Sequence, residues 1–246
     1  QLMEGVEDIP GTALAEGITW DWETFPQYLD AIEGIPHAID FAAQVPHGAV
    51  RTYVMGVRGA RNEQATSEEI DEMANIVREG LQAGALGFST TRTILHRAGD
   101  GELAPGTTAD REEVIGIGRA MGEVGHGVFE VASDLAPEEQ ELEWMRQIGR
   151  ETGRPVTFAC LQNNQDPTQW QRLLAAVEQD RAEGGTLTPQ VAQRPAGVLL
   201  SLESSGHPFI LHEGYQKLAL LPLAERVAAL RDPAVRSDIL DNPPDL

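Results

Sequence analysis

Apolar positions along the middle of the chain fall into two alternating patterns. Segments with a three-to-four-residue repeat end at a glycine and give way to short, unbroken apolar runs. Thr66 to Leu81 sets the type: Ile70, Met73, Val77 and Leu81 share one helical face, Thr66 and Glu69 have capping-box spacing, and Gly84 ends the helix. Leu86 to Thr90 then reads as a buried strand. Asp110 to Val124, with Val114, Ile117 and Met121 inward and Gly125 after it, precedes the strand Val128 to Ala132. Glu138 to Thr152, with Leu142, Met145 and Ile148 inward and Gly153 beyond, precedes Val156 to Cys160. Asp166 and Pro167 open a helix running to Glu183, and Leu187 to Ala192 is the next strand. Repeating units of roughly 30 to 40 residues built this way predict a parallel sheet with helical crossovers.

The flanks are less regular. Leu2 to Thr19 has no period and reads as a surface loop. Trp20 to Ile32 carries Trp22, Phe25, Leu29 and Ile32 at helical spacing, with Pro26 near the helix start. Ile39 to Val45 reads as a strand and Ala49 to Met55 as a second short one. Arg194 to Pro208 is too rich in Gly, Ser and Pro to assign, and Pro222 to Leu230 and Pro233 to Leu240 are short helices. A complete eight-unit barrel takes about 250 residues. About five strands occupy that length here, so either the barrel is incomplete or the sheet is open.

Composition narrows the partners. The 246 residues carry 39 acidic against 18 basic side chains, a formal net charge of −21, which speaks against nucleic acid and anionic membranes. The apolar fraction of 41% suffices for a full core. A single cysteine, Cys160, excludes an internal disulfide and a thiolate-rich zinc site. No apolar run reaches membrane-spanning length and no signal peptide opens the chain, which fits a cytoplasmic protein. Gln1 in place of Met, and the closing DNPPDL, suggest a fragment of a longer chain, a single incomplete (β/α)-barrel domain over residues 1–246.

Common signatures are missing: there is no GxGxxG, GxxxxGK[ST], HExxH, HxH or GxSxG. The six histidines, His37, His47, His96, His126, His207 and His212, are scattered, and only His47 directly follows a predicted strand. The chemistry of a parallel α/β fold sits where strands end, which singles out Gln44, His47, Ser89, Thr90, Arg92, Glu130, Ser133, Asp134, Cys160, Gln162, Gln190 and Arg194. Ends of parallel strands converge on one rim, bringing Arg92, Glu130 and Cys160 together. Alternation puts Glu130 on one face with Val128 and Ala132. A carboxylate buried there needs a partner. Arg92 or Arg194 could supply it, Glu130 could ligate a metal, or it could lie at a hydrated barrel mouth.

At Ala83 to Arg92, AGALGFSTTR, the sequence resembles the D-aminoacylase branch of the amidohydrolase superfamily, the N-acyl-D-amino-acid deacylases. The preceding helix spacing, the polar loop with its Pro105-Gly106 pair, VPHGAVRTYVMG (Val45 to Gly56), RPVTF (Arg154 to Phe158) and LPLAERVAALRDPAVRSDIL are similar to their counterparts in order. The resemblance implies a partial TIM-like (β/α) barrel of the metal-dependent hydrolase type, lacking its first and last strands. It also implies zinc-assisted hydrolysis of an N-acyl amide, the metal polarising the carbonyl and activating water while an aspartate moves protons. The family's paired histidines and catalytic aspartate are expected outside these residues. By alignment Ala132 and Cys160 stand where two metal-binding histidines are expected. Ala132 cannot ligate, whereas Cys160 is either a thiolate substitute or a core residue.

Two functions follow as expectations. The first is a carbon–nitrogen hydrolase acting on a small N-acylated amino acid or related amide, with an altered metal site. Arg92, Ser89, His47 and Arg194 are its candidate substrate-binding residues, Arg92 for a substrate carboxylate; Cys160 and Glu130 are its candidate zinc ligands. The second is a barrel without metal that binds a ligand or regulates. Residues 1–246 alone are expected not to deacylate.

Overall fold

A computed structural model describes residues 9–98, 101–163, 166–194, 201–202 and 207–242. In chain order the elements are α1 (Gly11–Gly17), α2 (Phe25–Glu33), β1 (Gln44–Pro46), α3 (His47–Met55), α4 (Val57–Ala60), α5 (Ser67–Gln82), β2 (Gly87–Arg92), α6 (Arg111–Val124), β3 (Val128–Ser133), α7 (Glu138–Thr152), β4 (Val156–Ala159), α8 (Gln169–Ala182), β5 (Leu187–Gln190), α9 (Glu213–Ala219), α10 (Leu223–Leu230) and α11 (Pro233–Asp241). The five strands form one parallel sheet in the order β1-β2-β3-β4-β5, each paired with the next in sequence. The alternation of strand and helix therefore holds, and the sheet is consistent with part of a (β/α) barrel.

Local sequence explains the most regular helix. At α5, the Thr66 side chain accepts from the Glu69 backbone N–H while Glu69 accepts from the Thr66 N–H, so two otherwise orphaned donors are satisfied. α6 and α7 stop at Gly125 and Gly153, both in the left-handed conformation that favours glycine.

Strand register sorts the side chains into two faces. One row across all five strands is Val45, Phe88, Phe129, Val156 and Leu187, each at most 1% exposed. This row meets the helices: Phe88 packs against Phe129 at 5.1 Å between ring centroids, and Phe129 against Trp144 of α7 at 6.0 Å. The next row is Pro46, Ser89, Glu130, Thr157 and Thr188, and it points the other way, to the inner face. The core is thus on the helix side of the sheet, and the inner face is polar.

Several expectations are corrected. Ala49 to Met55 is helical, within α3, because His47, Val50, Arg51 and Met55 are its buried positions and recur at helical spacing. The Ile39–Val45 strand shrinks to Gln44–Pro46, and Ile39 and Phe41 are exposed. Residues 11–17 form a helix, not a loop. α8 begins at Gln169 with Thr168 as its cap, two residues later than Asp166 and Pro167 suggest. α9 has no counterpart among the elements that the sequence predicts; His212 caps it by accepting from the Gly214 N–H at 3.0 Å. Most of Arg194 to Pro208 lies outside the described residues. Among the described residues, no helix is long and apolar enough to cross a membrane.

Candidate functional site

The strand ends do share one edge of the sheet, but their side chains divide between its faces. On the helix side, His47 at the start of α3 is 1% exposed. Its Nδ1 lies 2.8 Å from the Thr90 hydroxyl and its Nε2 2.7 Å from Glu113 Oε1. A neutral ring satisfies both contacts, accepting from Thr90 at Nδ1 and donating to Glu113 from Nε2. Arg51, wholly buried, donates from Nε to the same Glu113 oxygen at 2.8 Å, from Nη1 to Gly59 O at 3.0 Å, and from Nη2 to Glu63 O. Burial alone would raise the Glu113 carboxyl. The bonds from His47 and Arg51 outweigh that and hold it below the ordinary carboxylate range. Gly106, at φ +97°, sits over the imidazole so closely that a β-carbon there would lie 2.7 Å from Nδ1. His47 therefore anchors the loop after β2.

Arg92 belongs to this side as well. Its Nε donates to both Glu141 oxygens at 3.1 and 2.9 Å, its Nη1 to Ala109 O at 2.7 Å, and its guanidinium lies over Trp144 at 5.6 Å. Ser133 donates to the same Glu141 carboxylate at 2.9 Å. Asp134 accepts from the Thr93 hydroxyl and from the Ile94 N–H, tying the loop after β2 to the end of β3.

Cys160 follows β4 on the side of Val156 and Phe158, 5% exposed within the apolar core. Burial pushes its thiol up from its ordinary value, which opposes thiolate formation. Alkylation of Cys160 by iodoacetamide is accordingly expected to run on the order of a hundredfold slower in the native chain than in urea-unfolded chain. Mass spectrometry of quenched samples checks this, and comparable rates would contradict the buried placement.

On the inner face, Glu130 is paired with Gln44, whose Nε2 donates to Oε2 at 2.7 Å. Of the alternatives open from the sequence, neither arginine supplies the partner, which is an amide: Arg92 is turned to the helices, and Arg194 is exposed beyond β5. Ser89 neighbours Glu130 in register and shares its face. Ala132 lies on this face too, two residues beyond Glu130. Among the described residues, no three of His, Cys, Asp and Glu gather as a metal ion needs. Ala132 carries no donor atom, and the Cys160 thiol lies in the core, so neither presents a metal ligand to the inner face.

Glu113 and Arg51 escape a reading of strand ends because both lie on helices. The available signal is Glu113's position beside Val114 and Ile117 on the inward stripe of α6, where an unpaired acid would be costly.

Parallel strands joined in sequence order by helices, with a polar inner face, are consistent with part of a (β/α) barrel. The chain belongs to the amidohydrolase family, whose sequence profile matches residues 2–245. Within that family it is similar to the D-aminoacylase of Alcaligenes xylosoxydans xylosoxydans, 31% identical over 154 residues that make up 61% of this chain and 29% of that protein. Uncharacterised proteins of Mycobacterium bovis and Mycobacterium tuberculosis are 28% identical over 137 residues, 50% of this chain and 22% of theirs. Two solved structures of D-aminoacylase superpose with TM-scores of 0.56 and 0.55 at 26% identity, covering 68% of this chain and 33% of each. One concerns a binuclear metal centre with one-metal activation and second-metal attenuation; the other defines a novel subset of amidohydrolases. The matched region thus accounts for about a third or less of the relatives' length.

Proposed function

We propose that this chain is the central barrel portion of a carbon–nitrogen hydrolase acting on a small N-acylated amino acid or related amide, with a metal site that departs from the family's. The observation that carries the reading is the likeness to D-aminoacylase in sequence and in fold, over 61% and 68% of this chain. The departure rests on Ala132 and Cys160, since neither offers a zinc donor on the inner face. Ser89, Glu130 and Gln44 face the ligand in this reading. Arg92 and His47 hold the surrounding loops by way of Glu141 and Glu113. No chemical step is assigned to a metal held by these residues. A cytoplasmic setting goes with this reading, as does the formation of a single incomplete barrel domain by residues 1–246.

A second reading, a ligand-binding or regulatory barrel without metal, is favoured by the placement of the Cys160 thiol in the core. Assays of the full-length protein on N-acetyl-D- and N-acetyl-L-amino acids, with metal content measured by mass spectrometry, separate the two. Chelator-sensitive release of free amino acid from the D-substrates, with bound metal, is the expected result. Metal-free protein without turnover on either series would overturn the hydrolase reading. Residues 1–246 alone are expected to release no amino acid.

A further inference from the structure

We propose that the inner face of the sheet binds a small organic cation, specifically a primary ammonium group, with Glu130 as its counter-ion. The inference rests on the preceding section only in taking the inner face as the ligand side. Its test reads binding without turnover, so an inactive protein leaves it standing.

The row Ser89, Glu130, Thr157 and Thr188 places hydroxyl, carboxylate, hydroxyl and hydroxyl on four neighbouring strands, about 4.8 Å apart. Gln44 fixes the carboxylate through Oε2; among the described residues Oε1 takes no other hydrogen bond, and the amide keeps an acceptor oxygen of its own. Thr157 supplies an independent sign. It is 8% exposed, and its Oγ1 has no hydrogen-bond partner. Buried hydroxyls are normally satisfied, so one left open beside a carboxylate is a contact waiting for a donor. The Arg92 guanidinium is engaged on the opposite face of the sheet, and Arg194 is exposed beyond it.

The face therefore offers acceptors and a negative charge. An ammonium group, with three N–H donors, matches a carboxylate oxygen, a hydroxyl and an amide oxygen. A metal ion would need further anionic or imidazole donors, and the described residues gather none. The net charge of −21 draws cations toward the whole molecule, so specificity has to be separated from bulk attraction.

The experiment titrates the full-length protein, carrying 13C-methyl threonine, with n-butylammonium, butyrate and zinc. Thr157→Ser, which removes the methyl but keeps the hydroxyl, assigns the Thr157 signal. Butylammonium, and not butyrate, is expected to shift it. Glu130→Gln is expected to weaken that response by about tenfold, the scale of one charge-assisted hydrogen bond. Glu112→Gln removes the same charge from an exposed site on α6 and is expected to leave it unchanged. Thr157→Val is expected to raise the stability of the fold while weakening butylammonium binding, as detected at Thr188. An equal response to butyrate, an unchanged response in Glu130→Gln, or tighter binding of zinc than of butylammonium through Glu130 would overturn the proposal. Should Glu130→Gln not fold, Gln44→Ala replaces it: a several-fold loss supports the site, and no loss overturns it.

Discussion

Glu113→Ala is expected to destabilise the fold by about 3–5 kcal/mol, the cost of removing one member of a fully buried ionic cluster. Arg51 is wholly buried and His47 1% exposed, and both direct a nitrogen to Glu113 Oε1. Without that carboxylate the guanidinium keeps only the carbonyls of Gly59 and Glu63, and its charge stays buried without a counter-charge. A fall in the urea midpoint at unchanged slope reads the effect. Glu113→Gln keeps the shape and is expected to cost less. Glu151→Ala, which breaks the exposed bridge to Arg119, is expected to cost below about 1 kcal/mol. The pH dependence has a definite sign. The folded Glu113 carboxyl titrates below its unfolded value, so its contribution is complete above the ordinary carboxylate range. That contribution disappears as the pH falls through the folded value, and the gap between wild type and Glu113→Ala is expected to narrow in acid. An equal gap at neutral pH and well below the carboxylate range would contradict the ionic account.

The same cluster marks the boundary of what the sequence reveals. Helices α5, α6 and α7 are legible because each carries an apolar stripe and ends near a glycine, both of which are local features. His47 and Glu113 are 66 residues apart, and Gln44 and Glu130 are 86 apart. Nothing local links them. Face assignment has the same character. Strands can be read from apolar runs, but a one-residue shift in register exchanges the two faces. The observed register pairs Glu130 with Thr157, which leaves Cys160 on the side of Val156 and Phe158. Arg92 and Glu130 occupy opposite faces for the same reason: Glu130 is level with Ser89, an odd number of residues from Arg92. Val45 to Met55 is ambiguous because a three-residue strand runs straight into a helix rich in β-branched residues. Its buried Arg51 also hides the inward face from a pattern of apolar residues.

Gly87→Ala is expected to cost about 3 kcal/mol or more, the upper range for overpacking a well-fitted site. Gly87 opens β2 opposite Val128, and a β-carbon there would stand 2.0 Å from the Val128 carbonyl oxygen and 2.7 Å from its nitrogen. These are main-chain atoms, so no rotamer change relieves the contact. Val128 donates to Leu86 O at 3.1 Å, and withdrawing β3 would break that bond at the start of the ladder. Gly125→Ala offers the contrast. It carries a left-handed φ of +83° but opens onto empty space, and is expected to cost about 1–2 kcal/mol, the conformational penalty alone. Amide hydrogen exchange distinguishes the mechanisms: Gly87→Ala should accelerate exchange at Val128 and its β3 neighbours, whereas Gly125→Ala should not do so selectively. Protection of Val128 equal to wild type in Gly87→Ala would show that the strands accommodate the methyl. The glycine in the middle of GALGFS is therefore required by the close approach of two strands. Because Ser89 and Glu130 lie two residues further along the same pair of strands, any widening at Gly87 would also separate the acceptors of the inner face.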